Sequence, residues 1–243
     1  MIMSKYFFFL IHMLFFSVCF SQIGINTQTP QKTLHVNGTL QVTNEINLGG
    51  SSGTSGQILR SNGPGQPATW ENMAGGLNST GTVMVVGGKY VVAQEITVNM
   101  ASDFAGPAVP GATIATNIGS LTDEVIDNEN RYSGNGSSNT FQVSADGVYK
   151  VIMNMQLSTT NNTYPVVGIW DNTTNLWVAR VNDVFAAPTN GFQTYTLMTS
   201  LFLAAGKDYS FRAANTVAYT IKALSSGATG SGPVSEVSVK RLK

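Results

Sequence analysis

Cysteine is almost missing from this sequence: Cys19 is alone among 243 residues, so no intrachain disulfide can form. Charge is scarce too. Asp, Glu, Lys and Arg make up 11% of the chain, with thirteen acids balancing thirteen bases, against roughly a quarter in ordinary globular proteins. Without clustered Lys and Arg there is no stripe to neutralise phosphates, which argues against a nucleic-acid partner. Histidine occurs twice, at His12 and His35, too sparsely for a triad or a histidine-metal cluster. No window places apolar residues at helical spacing. What remains is rich in Asn, Thr, Ser and Gly, yet 42% apolar with many β-branched side chains. That composition folds and does not stay disordered.

The first residues, "MIMSK", carry one positive charge at Lys5, and the apolar run "YFFFLIHMLFFSVCF" follows. Small residues at Cys19 and Ser21 then precede Gln22. This is the pattern of a secretory signal peptide over residues 1–21, and the run is short for a membrane-spanning helix. Cleavage before Gln22 would remove the cysteine, leaving an exported chain whose stability comes from burial and assembly. The expected location is extracellular or at the cell surface.

Residues 22–50 are expected to form a β stalk. In "TLHVNGTLQVTNEINL", Leu34, Val36, Leu40, Val42, Ile46 and Leu48 all fall on even numbers. Alternation of faces along a strand would point them all one way. An apolar edge of that length needs a cover, and the expectation is a trimer axis shared by three identical ribbons. Residues 51–81 read as a Gly/Ser-rich neck. Within it, "ILRSNGPGQPATW" suggests two short strands around a Gly/Pro turn closed by Trp70, and "ENMAGGLNSTG" is a second joint.

From residue 82 to 243 the chain reads as strand after strand, with turns about every 8–12 residues, the signature of an antiparallel sandwich or barrel. "TVMVVGGKYVV" is a hairpin on Gly87-Gly88. "EITVNM" alternates Ile96, Val98 and Met100. Residues 101–120 read as a long crossing loop. "FQVSADGVYKVIMNMQL" turns at Asp146-Gly147 and then alternates Tyr149, Val151, Met153, Met155 and Leu157. In "YTLMTSLFL", Leu197, Leu201 and Leu203 point one way while Met198 and Phe202 point the other. Apolar residues on both faces imply a cover on the outer one, and another subunit is the expected cover.

"FQVSADGVYKV" followed by "LFLAAGKDYSF" resembles the jelly-roll heads of the complement collagen-tailed recognition protein and the tumour-necrosis-factor superfamily. Phe141, Gly147, Tyr149, Leu203, Gly206 and Asp208 occupy the corresponding places. Asp146 stands where those heads usually have proline, and Lys207 sits between Gly206 and Asp208. The front part resembles stalk segments of phage tail fibres and secreted bacterial fibre proteins. Both resemblances imply a homotrimer: an all-β protein with an antiparallel jelly-roll sandwich head behind an extended β stalk.

Three places in the sequence carry side chains suited to a site. The acidic segment "LTDEVIDNENR" reads as a solvated loop. Calcium is the one cofactor its oxygen ligands would suit, through Asp123, Glu124 and Asp127, although the spacing of a recognised calcium loop is absent; otherwise no cofactor is expected. In "GIWDNTTNLWVAR", Asp171, Asn172 and Asn175 beside Trp170 and Trp177 offer the hydrogen-bonding groups and aromatic planes that sugar binding uses. A five-residue loop would set Trp170 against Leu176 and Ile169 against Trp177, leaving the indoles on opposite sides of the sheet. The bland alternative buries both tryptophans around an ordinary Asx-rich turn. His35, on the odd face of the stalk, is expected to be a solvated strand residue.

The expectation is therefore a secreted, non-enzymatic, trimeric fibre-like binding or adhesion protein whose head presents loops to a surface glycan or protein. One alternative is a purely structural trimerisation cap. The other is a polysaccharide-acting enzyme using paired carboxylates.

Overall fold

The β-branched and aromatic runs become strands, and the Gly, Asn and Asp positions become the turns between them. The computed structural model describes residues 22–72, 81–112, 114–188 and 191–243; the expected signal peptide, residues 1–21, and residues 73–80 of the second joint lie outside it. Two compact units result. One takes residues up to Thr54 together with Leu59–Trp70, and the other takes Ser55–Ile58 with Glu71–Lys243.

In the first unit, β1 (Ile23–Ile25) pairs in parallel with β2 (Leu34–Val36). Asn26 and Asn37 tie the ends of the pair, each side-chain amide donating to the other's backbone carbonyl at 2.9 and 3.2 Å. His35 is half-buried, its Nδ1 accepting the Gln31 amide. The sixteen-residue ribbon does not continue as one strand. Past Val36 only the bridge between Leu48 and Ser51 is β-paired. Alternation supplies a face but no hydrogen-bond partner, and a strand is completed only when a neighbour takes up its N–H and C=O groups. This chain offers no second ribbon there. On either side of the Gly/Pro turn, β3 (Gln57–Arg60) and β4 (Thr69–Asn72) form a two-stranded sheet. Trp70 lies against Gly53 and donates its indole N–H to the Ser51 carbonyl at 3.2 Å.

In the second unit, β5 (Val83–Val86) and β6 (Lys89–Val92) form a hairpin. Its Gly87 and Gly88 have φ of 57° and 77°, the left-handed pair that such a two-residue turn requires. Two sheets follow. In the first, β13 (Gly147–Ser158) is the spine. One edge pairs along its length with β16 (Gln193–Leu203). The other takes β21 (Glu236–Arg241) and, at its far end, β18 (Tyr219–Ile221). Beyond β21 lie β7 (Glu95–Met100) and β10 (Leu121–Asp127), and β8 (Phe104–Gly106) pairs with β18.

The second sheet runs β11 (Tyr132–Gly134), β12 (Asn139–Phe141), β17 (Tyr209–Ala214), β14 (Val166–Asp171) and β15 (Leu176–Asn182), with β9 (Thr116–Asn117) also on β17. A small outlying hairpin, β19 (Leu224–Gly227) with β20 (Gly230–Pro233), completes the set. From β12 the chain crosses to β13, back to β14 and β15, across to β16, back to β17 and across to β21. The central orders are β7-β21-β13-β16 and β12-β17-β14-β15. That alternation between two antiparallel sheets makes the head a jelly roll.

The core lies between the sheets. Tyr149, Val151, Met153, Met155 and Leu157 are fully buried along β13, facing Val167, Ile169, Phe211 and Phe141. Phe141 stacks on Tyr209 and Phe211 at 5.5 and 5.0 Å. The residues that carried the family resemblance fall into place: Phe141, Tyr149 and Leu203 are in the core, and Gly147 pairs directly with Leu203. A side chain at Gly147 would collide with the Lys243 carbonyl.

Two segments differ from expectation. Residues 101–120 are a structured crossing, holding β8, a 3-10 turn at Pro110–Ala112, and β9. The acidic segment is not a free loop: it begins with β10, paired to β7 with two register shifts. Charges and irregularities of this kind keep an edge strand from pairing with another molecule.

Candidate functional site

The β14–β15 hairpin is built differently from the sequence expectation. Asp171 pairs with Leu176 and Trp170 with Trp177, leaving four loop residues. Across the sheet the register then shifts, so that Ile169 pairs with Ala179 and Val178 is the extra residue of a β-bulge. The tryptophans therefore share one face, where they meet edge to face at 5.2 Å and 88°. The loop is one residue shorter than the five expected, and that single residue moves Trp177 from the opposite face to the face of Trp170.

The turn explains its own sequence. Asp171 Oδ1 accepts the amides of Thr173 and Thr174 at 2.8 and 3.1 Å, an Asx turn. Asn175, at φ 55°, takes the left-handed position that closes it, and its amide donates to the Asp171 carbonyl. The other Asp171 oxygen accepts from Lys207 Nζ at 2.7 Å. Burial by itself would push the Asp171 carboxyl up. The Lys207 ammonium and the two threonine amides outweigh it and hold the group at about 2.

Behind the turn sits Arg212, from β17. Its guanidinium lies 5.1 Å from the Trp170 ring centroid. Nε donates to Ser210 Oγ, Nη1 to the Ala115 carbonyl and Nη2 to Asn172 Oδ1, at 2.9, 3.0 and 2.8 Å. Asn172 Oδ1 also accepts from Ser210 Oγ at 2.8 Å. Burial pushes the guanidinium's pKa down. Trp170 is 8% exposed and its indole N–H is buried with no acceptor.

The structure thus brings Trp170, Asp171, Asn172, Asn175 and Trp177 together. The carboxylate of Asp171 and the amide oxygen of Asn172 are directed inward to hold the hairpin, while Trp177 is partly open. Sequence reasoning missed Lys207, Ser210 and Arg212. The alternation Tyr209, Phe211, Ala213 against Ser210, Arg212 would have placed Arg212 on the outer face. Nothing local, however, joins it to a hairpin some forty residues earlier.

Asp123, Glu124 and Asp127 do not converge. Asp123 lies opposite Asn99, whose side-chain amide donates to it at 3.3 Å, and Glu124 lies opposite Val98. Asp127 Oδ2 accepts the Tyr132 amide at 2.7 Å and so fixes the start of β11. Among the described residues no group of three or more His, Cys, Asp and Glu side chains is placed to hold a metal ion.

A separate open cleft of about 410 Å³ is lined by Val86, Asp146, Gly147, Val148, Phe202, Arg241 and Lys243. Asp146 is committed there, accepting the Ala205 amide at 2.7 Å. Apolar side chains also stand open to solvent. Met198 and Phe202 on the outer face of β16 are 62% and 63% exposed. Among the stalk residues, Leu34, Leu40, Val42 and Ile46 are exposed and Val36 and Leu48 half-buried.

No protein-family model and no curated protein matches the chain. Among solved structures it is similar to murine APRIL at pH 8.0, with 10% identity and a TM-score of 0.42 over 62% of this chain and 99% of that one. It is also similar to Eiger TNF from S. frugiperda, with 12% identity and a TM-score of 0.41 over 62% and 92% of the respective chains. These are similarities of shape, and the jelly-roll assignment rests on the strand order described above.

Proposed function

We propose that the protein is an exported, non-enzymatic, homotrimeric binding protein whose jelly-roll head presents the β14–β15 end to a glycan or protein at a surface. The observation that carries this reading is the open apolar surface. Met198 and Phe202 project from the outer face of an edge strand, and Leu40 is 68% exposed in the N-terminal segment. A lone chain gains nothing from apolar side chains held in water, whereas identical neighbours cover them at each copy. The signal-peptide pattern supports export. Asp123, Asp127, Asp146 and Asp171 are committed to structural hydrogen bonds, which favours recognition over acid–base work on polysaccharide.

Light scattering on the secreted protein at micromolar concentration tests the assembly, with three times the chain mass expected and a single-chain mass overturning it. An array of glycans and surface proteins tests the head. Uniformly blank results with a trimeric mass would favour the structural-cap alternative.

A further inference from the structure

On the outer face of the second sheet, two arginines and a tryptophan share one side. The register places Arg180 of β15 and Arg212 of β17 on either side of Gly168 of β14. Strands two apart in a sheet are separated by about 10 Å, a span that two arginine side chains and a ligand carboxylate between them can bridge. Gly168 adds no side chain between the two arginines and is itself buried, with the Ala179 carbonyl and the Cα and Cβ of Arg180 closed against it. The neighbouring row holds Trp177 and Trp170. Trp177 and Arg180 are three residues apart, a spacing that puts side chains on opposite faces of a regular strand. The bulge at Val178 brings them to the same face.

The charges of this row are uncompensated. Arg212 is bonded only to the neutral oxygens of Ser210, Ala115 and Asn172, which leaves one N–H on each terminal nitrogen. Arg180 is exposed and makes no hydrogen bond or ion pair among the described residues. A chain with so few charges has placed two cations on either side of a glycine with no carboxylate paired to either among the described residues. We propose that this row is a binding site for an acidic saccharide. Arg180 and Arg212 receive the sugar's carboxylate, and the partly open indole of Trp177 packs against the ring.

The dimensions and chemistry agree. Guanidinium forks match a planar carboxylate. One row along the strand is about 7 Å, roughly the step from a carboxyl group at a pyranose edge to the middle of its C–H face. Neutral chain composition and the lack of further basic rows exclude a polyphosphate track.

This site rests on the reading of the head as a surface-binding module, and its test separates the two. The secreted chain is titrated with a glucuronate-containing oligosaccharide, with the same oligosaccharide reduced to alcohols, and with a sulfated neutral oligosaccharide. Tryptophan fluorescence and calorimetry report binding. The uronate is expected to bind and the reduced sugar to bind about tenfold more weakly or worse, the loss of charge-assisted bonds. Arg180→Gln should weaken the uronate by a similar factor, with circular dichroism unchanged because Arg180 holds nothing in the fold. Equal affinity for charged and reduced sugars, preference for the sulfated one, or indifference to Arg180→Gln would overturn the site. If neutral sugars bind with Arg180→Gln silent, the binding head stands and this site falls. If no saccharide binds, the site falls and the cap alternative gains.

Discussion

At the scale of single residues, the buried polar groups bear most on stability. Asn139 is 3% exposed. Its amide nitrogen donates to the Ile118 and Phe211 carbonyls and to Asn117 Oδ1, at 2.8, 2.9 and 2.8 Å, and its oxygen accepts the Phe211 amide at 2.8 Å. One side chain thereby joins β12, β17, β9 and the segment that follows β9. Asn139→Ala would leave those backbone groups buried and unpaired, at about 3 kcal/mol, read as a lowered urea midpoint at fixed protein concentration. Asp171 gives a pH signature. Its carboxyl titrates at about 2 in the fold against 3.8 for an ordinary aspartate, so the unfolded chain takes up the proton first as pH falls. The stability it supplies is complete above about pH 4 and drains away between pH 4 and 2. Thermal midpoints of Asp171→Asn should fall less than those of the wild type over that window. Equal slopes would show that the pairing with Lys207 contributes nothing.

At the scale of elements, close backbone approaches decide the sheet edges. Gly106 pairs with Tyr219, whose 3%-exposed ring lies across the glycine where a Cβ would stand. Gly106→Ala is expected to push β8 off β18 at about 1–3 kcal/mol, and the double variant with Tyr219→Ala to lose less than the sum of the two single changes. Additive losses in the cycle would place the ring elsewhere. The alternations of Tyr149 to Leu157 and of Ile96, Val98 and Met100 were legible in the sequence because one face is buried along the whole strand. The hairpin at Gly87-Gly88 was legible because its turn needs two left-handed residues. The face of Trp177 was not legible because it turns on whether the loop holds four residues or five, and that of Arg180 was not because a bulge depends on which partner a strand meets and Val178 carries no mark of it. The acidic β10 was misread as a loop for a similar reason. An edge strand with exposed side chains, bent at two register shifts, loses the apolar alternation that identifies strands. Arg212 was visible as an outward residue, but its place behind Trp170 is a product of topology.

At the scale of the whole molecule, the N-terminal segment poses the sharpest question. Its even-numbered residues keep their alternation through Leu48, yet past Val36 the segment pairs only at the Leu48–Ser51 bridge. For a single molecule that pattern has no use, because Leu40 is already in water and Leu40→Asp would change nothing. For three chains around an axis, the same substitution places three carboxylates together in an apolar seam, at a cost that ribbon pairing cannot offset. The two cases differ in protease resistance. In a trimer, residues 22–50 of the wild type should survive a digestion that cuts them rapidly in Leu40→Asp, while the head, held by its own core, stays intact in both. Mass alone does not separate the cases, since Met198 and Phe202 can join the heads without the stalk. Identical digestion of wild type and variant would leave the segment a single-chain tether, and the assembly would belong to the head.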